Sequence, residues 1–165
     1  MNILIDSNIV LLKDSLINDF NVITFDGGEL SNSLIREANA NILFVRSTTN
    51  CNKELLDNTE VEFLGTATAG IDNLDLNYLK SRNIKWTNAA GSNSISVAEY
   101  VTLAIQIWCL DNNKEINSIT LGVVGYGNIG KKVAKIFEKS CKRILVYDPY
   151  VKSSNLEKVN ICELD

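Results

Sequence analysis

Apolar runs of strand length recur along the first half of the chain. They are Ile3–Ile5, Val22–Phe25, Ile42–Val45, Val61–Leu64 and Ile84–Trp86. Between most of them the apolar residues take the three- and four-residue spacing of an amphipathic helix. Strands that alternate with helices on short connections pair in parallel through right-handed crossovers. The pattern therefore predicts an α/β, flavodoxin-like domain of five strand–helix units over residues 1–93.

A second α/β segment follows, over residues 94–165. It opens with Ser94–Leu110, which carries apolar side chains on every side of a helix and is therefore expected to be buried between two domains. A strand over Thr120–Val124, a glycine turn, a helix to about Lys139 and a strand over Arg143–Tyr147 come next. Two strands and one helix are less than a dinucleotide-binding fold of two three-stranded halves. We therefore expect the N-terminal half of a Rossmann domain here.

The glycine turn has the spacing of a dinucleotide-binding loop, G-x-G-x-x-G. Gly125 permits the tight turn, Gly127 lets the backbone approach a pyrophosphate, and Gly130 allows the helix to pack closely on the strand. Asn128 and Ile129 open the helix, whose free N–H groups and dipole favour an anion. The loop lies between a predicted strand and a predicted helix, which favours nucleotide binding over a plain turn.

Asp148 ends the second strand of this segment. A carboxylate at that position accepts hydrogen bonds from the ribose hydroxyls of the cofactor and repels a 2′-phosphate, so we expect NAD rather than NADP. An Asp before Pro149 is also a common turn residue at the end of a strand, and this alternative stays open.

Composition limits the classes of partner. The net charge is −4 with a pI of about 4.9, so we expect no nucleic-acid partner. The chain has four scattered cysteines and no histidine, which argues against a metal site and favours a reducing, cytoplasmic location. The longest uncharged apolar run is too short to cross a bilayer, and no membrane partner is expected.

Several motifs occur in one order that resembles the D-2-hydroxyacid dehydrogenases. They are ILFVRSTT at 42–49, FLGTATAGIDNLD at 63–75, NAAGSNSISVAEYV at 88–101, the glycine loop and VYDPY at 146–150. The VRS and GTATAG segments narrow the resemblance to the branch that oxidises 4-phospho-D-erythronate in pyridoxal phosphate biosynthesis. The resemblance implies a substrate-binding first domain, an NAD-binding second domain and a homodimer.

By this resemblance, Ser47 and Thr68 are expected to contact a small phosphorylated hydroxy acid. Both follow or end a predicted strand, where a hydroxyl at the carboxyl edge of a parallel sheet can hold an anionic ligand. The alternatives are a turn residue for Ser47 and a strand-favouring β-branched residue for Thr68.

No catalytic residue is assigned. The resemblance implies an Arg, a Glu and a His from the second half of the family's chain, and none of these is matched here. We therefore expect a fragment or a shortened gene product that is inactive alone. Two alternatives stay open: a related dehydrogenase, such as one acting on 3-phosphoglycerate, and a non-catalytic nucleotide-binding remnant.

Overall fold

The chain forms two compact units in a computed structural model that describes residues 1–164. The first unit is Met1–Ala90, and the second begins at Gly91. The sequence pattern puts the boundary slightly later, after residue 93.

The first unit is built on one parallel sheet. Its strands are β1 (Asn2–Asp6), β2 (Asn21–Phe25), β3 (Ile42–Val45), β4 (Phe63–Thr66) and β5 (Lys85–Asn88). They pair in the order β2-β1-β3-β4-β5, which is the order of flavodoxin-like folds. The predicted fold class is confirmed. The predicted last two strands began too early, because Val61 and Ile84 are buried core residues that precede the sheet pairing.

Four short helices connect these strands: α1 (Leu12–Leu16), α2 (Asn32–Glu37), α3 (Lys53–Leu56) and α4 (Leu76–Ser81). The side chains of Ser31, Asn52 and Asp75 each accept a backbone N–H at the start of a helix. Helix α3 was not predicted, since a single turn is too short to show helical spacing. The core of the unit lies between helices and sheet, with Leu4, Leu43 and Leu64 fully buried.

The second unit holds a smaller parallel sheet, β6-β7-β8. Its elements are α5 (Ser94–Asp111), a 3-10 turn (Ile116–Ser118), β6 (Thr120–Val124), α6 (Asn128–Phe137), β7 (Arg143–Tyr147) and β8 (Val159–Ile161). The prediction of two strands was wrong, because β8 pairs with β7 along its whole length. Three residues are too few to reveal a strand by periodicity.

Helix α5 is not buried on all sides, and the sequence-based expectation was wrong on this point. Its inner face packs against α6, with Ala98 and Cys109 buried. Its outer face is open: Tyr100 is 73% exposed, Leu103 59%, Ile107 58% and Leu110 76%. No helix of the described residues is long and apolar enough to cross a membrane.

Helix α6 buries one face formed by Gly130, Val133, Ala134 and Phe137. Small residues on this face let the helix approach the sheet closely, and Phe137 fills the core of the unit. Only 1% of Phe137 is exposed, because α5, β7 and the segment after β7 contribute to the same core.

Candidate functional site

The glycine loop joins β6 to α6. Gly125 has φ +93°, a left-handed conformation in which any residue with a side chain would be strained. Its N–H donates to the Tyr147 carbonyl at 2.8 Å. A Cβ at position 130 would overlap the Gly125 carbonyl oxygen and come within 3.2 Å of Val123 Cγ1. Gly125 therefore serves the turn, and Gly130 serves the contact of helix with loop and strand.

Gly127 has a different surrounding. It caps α6 without a side-chain hydrogen bond, its φ is −83°, and no atom lies within 4 Å of a Cβ built there. Neither backbone strain nor protein packing explains a glycine at this position. Open space before the first free N–H groups of a helix fits the close approach of a pyrophosphate.

Asn128 and Ile129 form the first turn of α6. Ile129 is 38% exposed. Asn128 lies against Gly91, where a Cβ would come within 2.8 Å of Asn128 Nδ2 and where φ is +81°. The start of α6 is thus held against the segment that precedes α5, inside the second unit.

Asp148 is tied to the glycine loop by its carboxylate. Oδ2 accepts the Tyr126 N–H at 2.6 Å, and Oδ1 accepts the Tyr150 N–H at 2.9 Å. These two backbone hydrogen bonds, the one from Tyr126 foremost, lower the pKa of Asp148, and Lys131 adds a smaller effect in the same direction. The bond to Tyr150 has the turn geometry of the alternative interpretation. Each carboxylate oxygen keeps a second acceptor site, so a ribose hydroxyl can also be bound.

Ser47 and Thr68 lie at the carboxyl edge of the first unit's sheet. Val45 of β3 pairs with Thr66 of β4. Ser47 and Thr68 each follow one of these paired residues by two positions, so they lie beyond the ends of neighbouring strands. Ser47 is exposed in a turn closed by the Thr49 N–H and the Arg46 carbonyl at 3.1 Å.

Thr68 is half-buried and lies beyond the end of β4, so it is not a strand residue. Its hydroxyl lies 2.9 Å from Thr66 Oγ1 and donates to the Gly70 carbonyl at 3.1 Å. The structure brings Ser47 and Thr68 to one edge of the first sheet. It brings the glycine loop and Asp148 together in the second unit.

Tyr126 was not singled out by the sequence, although it supports the loop. Its side chain is buried, its hydroxyl lies 2.8 Å from Ser154 Oγ, and Lys131 Nζ lies 5.9 Å from the centre of its ring. Tyr126 stands at a position that the glycine motif leaves unspecified, so the sequence gives no signal for such a contact. The side chain anchors the loop to the segment after β7.

Comparisons with known proteins agree with this geometry. The family profile described as "D-isomer specific 2-hydroxyacid dehydrogenase, catalytic domain" matches residues 3–161. Erythronate-4-phosphate dehydrogenase of Bacteroides thetaiotaomicron is 39% identical over 150 residues, which cover 90% of this chain and 42% of that protein. The chain thus spans well under half the length of this relative.

Solved structures give the same fold. D-lactate dehydrogenase of Aquifex aeolicus, complexed with NAD and lactic acid, has a TM-score of 0.77 at 21% identity and covers 98% of this chain and 56% of its own. The NAD⁺-bound 3-phosphoglycerate dehydrogenase of Entamoeba histolytica has a TM-score of 0.73 at 25% identity. The alignment covers 97% of this chain and 57% of the Entamoeba chain. Because the family profile spans nearly the whole sequence, the chain belongs to the D-isomer-specific 2-hydroxyacid dehydrogenase family.

Proposed function

We propose that this chain is part of an NAD-dependent dehydrogenase that oxidises the C2 hydroxyl of 4-phospho-D-erythronate to a 2-oxo acid, a step of pyridoxal phosphate biosynthesis. The observation that carries the proposal is the loop from Gly125 to Gly130, open at Gly127 and tied to Asp148. The name of the Bacteroides relative supports the choice of substrate.

In this proposal the second unit binds NAD. Backbone N–H groups at the start of α6 hold the pyrophosphate, and Asp148 accepts hydrogen bonds from the adenosine ribose. NAD supplies the acceptor for the hydride that leaves C2. The fit rests on Gly127, the one glycine of the motif with neither a positive φ nor a close neighbour at its Cβ.

The first unit binds the substrate. Ser47 and Thr68 present hydroxyls at one sheet edge. The Ser47 hydroxyl donates a hydrogen bond to a carboxylate or phosphate oxygen, and the Thr68 hydroxyl does so when its hydrogen turns away from the Gly70 carbonyl. Oxidation also needs a base for the hydroxyl proton and a cation for the carboxylate. We assign neither role to a residue of this chain, which contains no histidine.

The substrate assignment is tested by turnover of two phosphorylated acids with NAD by the complete gene product. We expect 4-phospho-D-erythronate to give the higher kcat/KM. A preference for 3-phospho-D-glycerate would instead identify the second candidate, which the likeness to the Entamoeba structure favours. NAD binding without turnover of either acid would favour a non-catalytic nucleotide-binding protein.

We also propose a homodimer formed through α5. Tyr100, Leu103, Ile107 and Leu110 are exposed and alternate at three- and four-residue spacing, as in the seam of two packed helices. A second copy presents the same apolar stripe, so a two-fold contact buries both stripes at once.

We propose a cytoplasmic location as well. The four cysteines, none of which forms a disulfide in the described structure, support it.

A further inference from the structure

Two buried side-chain oxygens of the first unit lack a hydrogen-bond partner among the described residues. They are Asp6 Oδ2 and Thr49 Oγ1. Asp6 is 1% exposed and Thr49 is 6% exposed. Buried polar atoms are almost always paired, and leaving one unpaired is costly, most of all on a carboxylate. Two such atoms at one end of a sheet point to a missing partner.

Both residues belong to the edge that carries Ser47. Asp6 ends β1 and Thr49 follows β3, its parallel neighbour, with Ile5 paired to Phe44. The other oxygen of Asp6 is already used, since Oδ1 accepts the backbone N–H of Asn8 at 2.9 Å and its side-chain amide at 3.1 Å. Only Oδ2 is left to receive a further donor.

The backbone of Gly27 packs close beside Oδ2, where a side chain would not fit. A Cβ at position 27 would lie 2.6 Å from Asp6 Oδ2 and 3.3 Å from Thr48 Oγ1, so glycine is needed there although its φ is not positive. Thr48 is exposed. Its hydroxyl and Asp6 Oδ2 both lie near the position of that Cβ, and Thr48 belongs to the same loop as Ser47.

We propose that Asp6 Oδ2, with the hydroxyls of Thr48 and Thr49, forms a subsite for a ligand hydroxyl. A carboxylate only accepts hydrogen bonds and repels anions. This subsite therefore binds a ligand hydroxyl and disfavours binding of the ligand's phosphate or carboxylate. Resting on the proposed function, the inference assigns the C3 hydroxyl of 4-phospho-D-erythronate to Asp6. Asp6 then determines specificity for a 2,3-dihydroxy acid.

The test pairs a ligand change with a residue change. Affinities of the complete gene product, with NAD present, are measured for 4-phospho-D-erythronate and for its 3-deoxy analogue, with wild type, Asp6→Ala and Asp6→Asn. We expect wild type to prefer the hydroxylated acid by about 10- to 100-fold, the range of a charge-assisted hydrogen bond. In Asp6→Ala the ratio should fall to about one, and Asp6→Asn should retain part of it. Asp26→Asn, an exposed carboxylate at the end of β2, is the matched control and should keep the wild-type ratio.

The ratio separates ligand contact from a structural role. If Asp6 only supports the fold, or binds a buried water, Asp6→Ala weakens both ligands equally and the proposal is overturned. Equal affinities of the wild type for 4-phospho-D-erythronate and its 3-deoxy analogue also overturn the proposal, while leaving the proposed function intact. Failure of wild type to bind either acid removes the proposed function, and the subsite with it. Should the Asp6 variants not fold, Thr49→Val, which keeps the shape and removes the second unpaired oxygen, must lower the same ratio.

Discussion

Asp148 combines two tasks in one side chain. Its oxygens hold the N–H groups of Tyr126 and Tyr150, and the proposed cofactor site needs the same oxygens for the ribose. A substitution therefore changes both the shape of the loop and its affinity for NAD.

Replacement of Asp148 by Ala should weaken NAD binding by roughly 10- to 100-fold, because charge-assisted hydrogen bonds are lost. It should weaken NADP less or not at all, since the repulsion of the 2′-phosphate disappears. Titration calorimetry with each cofactor measures the two changes. Parallel changes for NAD and NADP would show that Asp148 is only a turn residue.

The same carboxylate makes the second unit sensitive to acid. Its pKa is lowered by the backbone N–H groups of Tyr126 and Tyr150, so it lies below the unfolded value of about 3.9. The stabilisation from Asp148 is present above that unfolded value and is lost as pH falls through the folded one. The free energies of unfolding in urea of wild type and Asp148→Asn should therefore differ at about pH 7 and converge as the pH falls through the lowered pKa of Asp148. A difference that does not depend on pH would contradict this linkage.

Two glycines of the loop should respond differently to alanine. Gly130→Ala places a Cβ against the Gly125 carbonyl and should cost about 2 kcal/mol or more of stability. Gly127→Ala meets no protein atom, so it should cost less than about 1 kcal/mol while abolishing NAD binding. Thermal unfolding and NAD titration are measured for both. Gly122→Ala, a strand position with open space, is the control and should be near neutral. Unchanged NAD binding by Gly127→Ala would refute the pyrophosphate site.

The individual roles of these glycines were only partly predictable from the sequence. The spacing of Gly125, Gly127 and Gly130 indicates a loop between strand and helix, and the structure has that loop. The contacts of Tyr126 and Asp6 were not predictable. They depend on which strand ends lie side by side and on which oxygens accept hydrogen bonds. Local hydrophobic periodicity predicts neither property.

At the scale of elements, periodicity identified long or repeated features and missed short ones. Strands β1 to β3 lie where the apolar runs predict them, because each run supplies buried residues to the core: Ile3–Ile5 in β1, Phe25 in β2, and Leu43 and Val45 in β3. Helix α3 and strand β8 have four and three residues, so no pattern can develop over them. For α5, apolar residues on all sides indicated burial, whereas the described residues cover only its inner face.

The exposed face of α5 predicts a change in assembly on substitution. Ile107→Lys should give a monomer without loss of folding, because the residue is 58% exposed in one chain and central in the proposed two-fold contact. Sedimentation velocity measures the assembly, and circular dichroism checks the fold. Gln106→Lys adds the same charge beside the stripe and should leave the dimer intact. A monomeric wild-type chain would contradict the proposed contact.

At the scale of the whole chain, the two units should differ in stability. The first unit has a five-stranded sheet, and the second has three strands with a central β7. We expect strong hydrogen-exchange protection at Ile3–Ile5 and Ile42–Val45, intermediate protection at Val146, and weak protection at the edges of the small sheet. Val146 is fully buried, which raises its expected protection above that of the sheet edges. Equal protection in both sheets would contradict this ranking.

The bond from the Tyr126 N–H to Asp148 also sets an order of events during synthesis. The two residues are 22 positions apart in sequence, so the ribosome releases the loop before the carboxylate that fixes it. The first unit precedes both and is free to fold while the rest is still being made. A nascent chain should therefore form the proposed substrate-binding edge first and complete the proposed dinucleotide site only after β7 has emerged and paired.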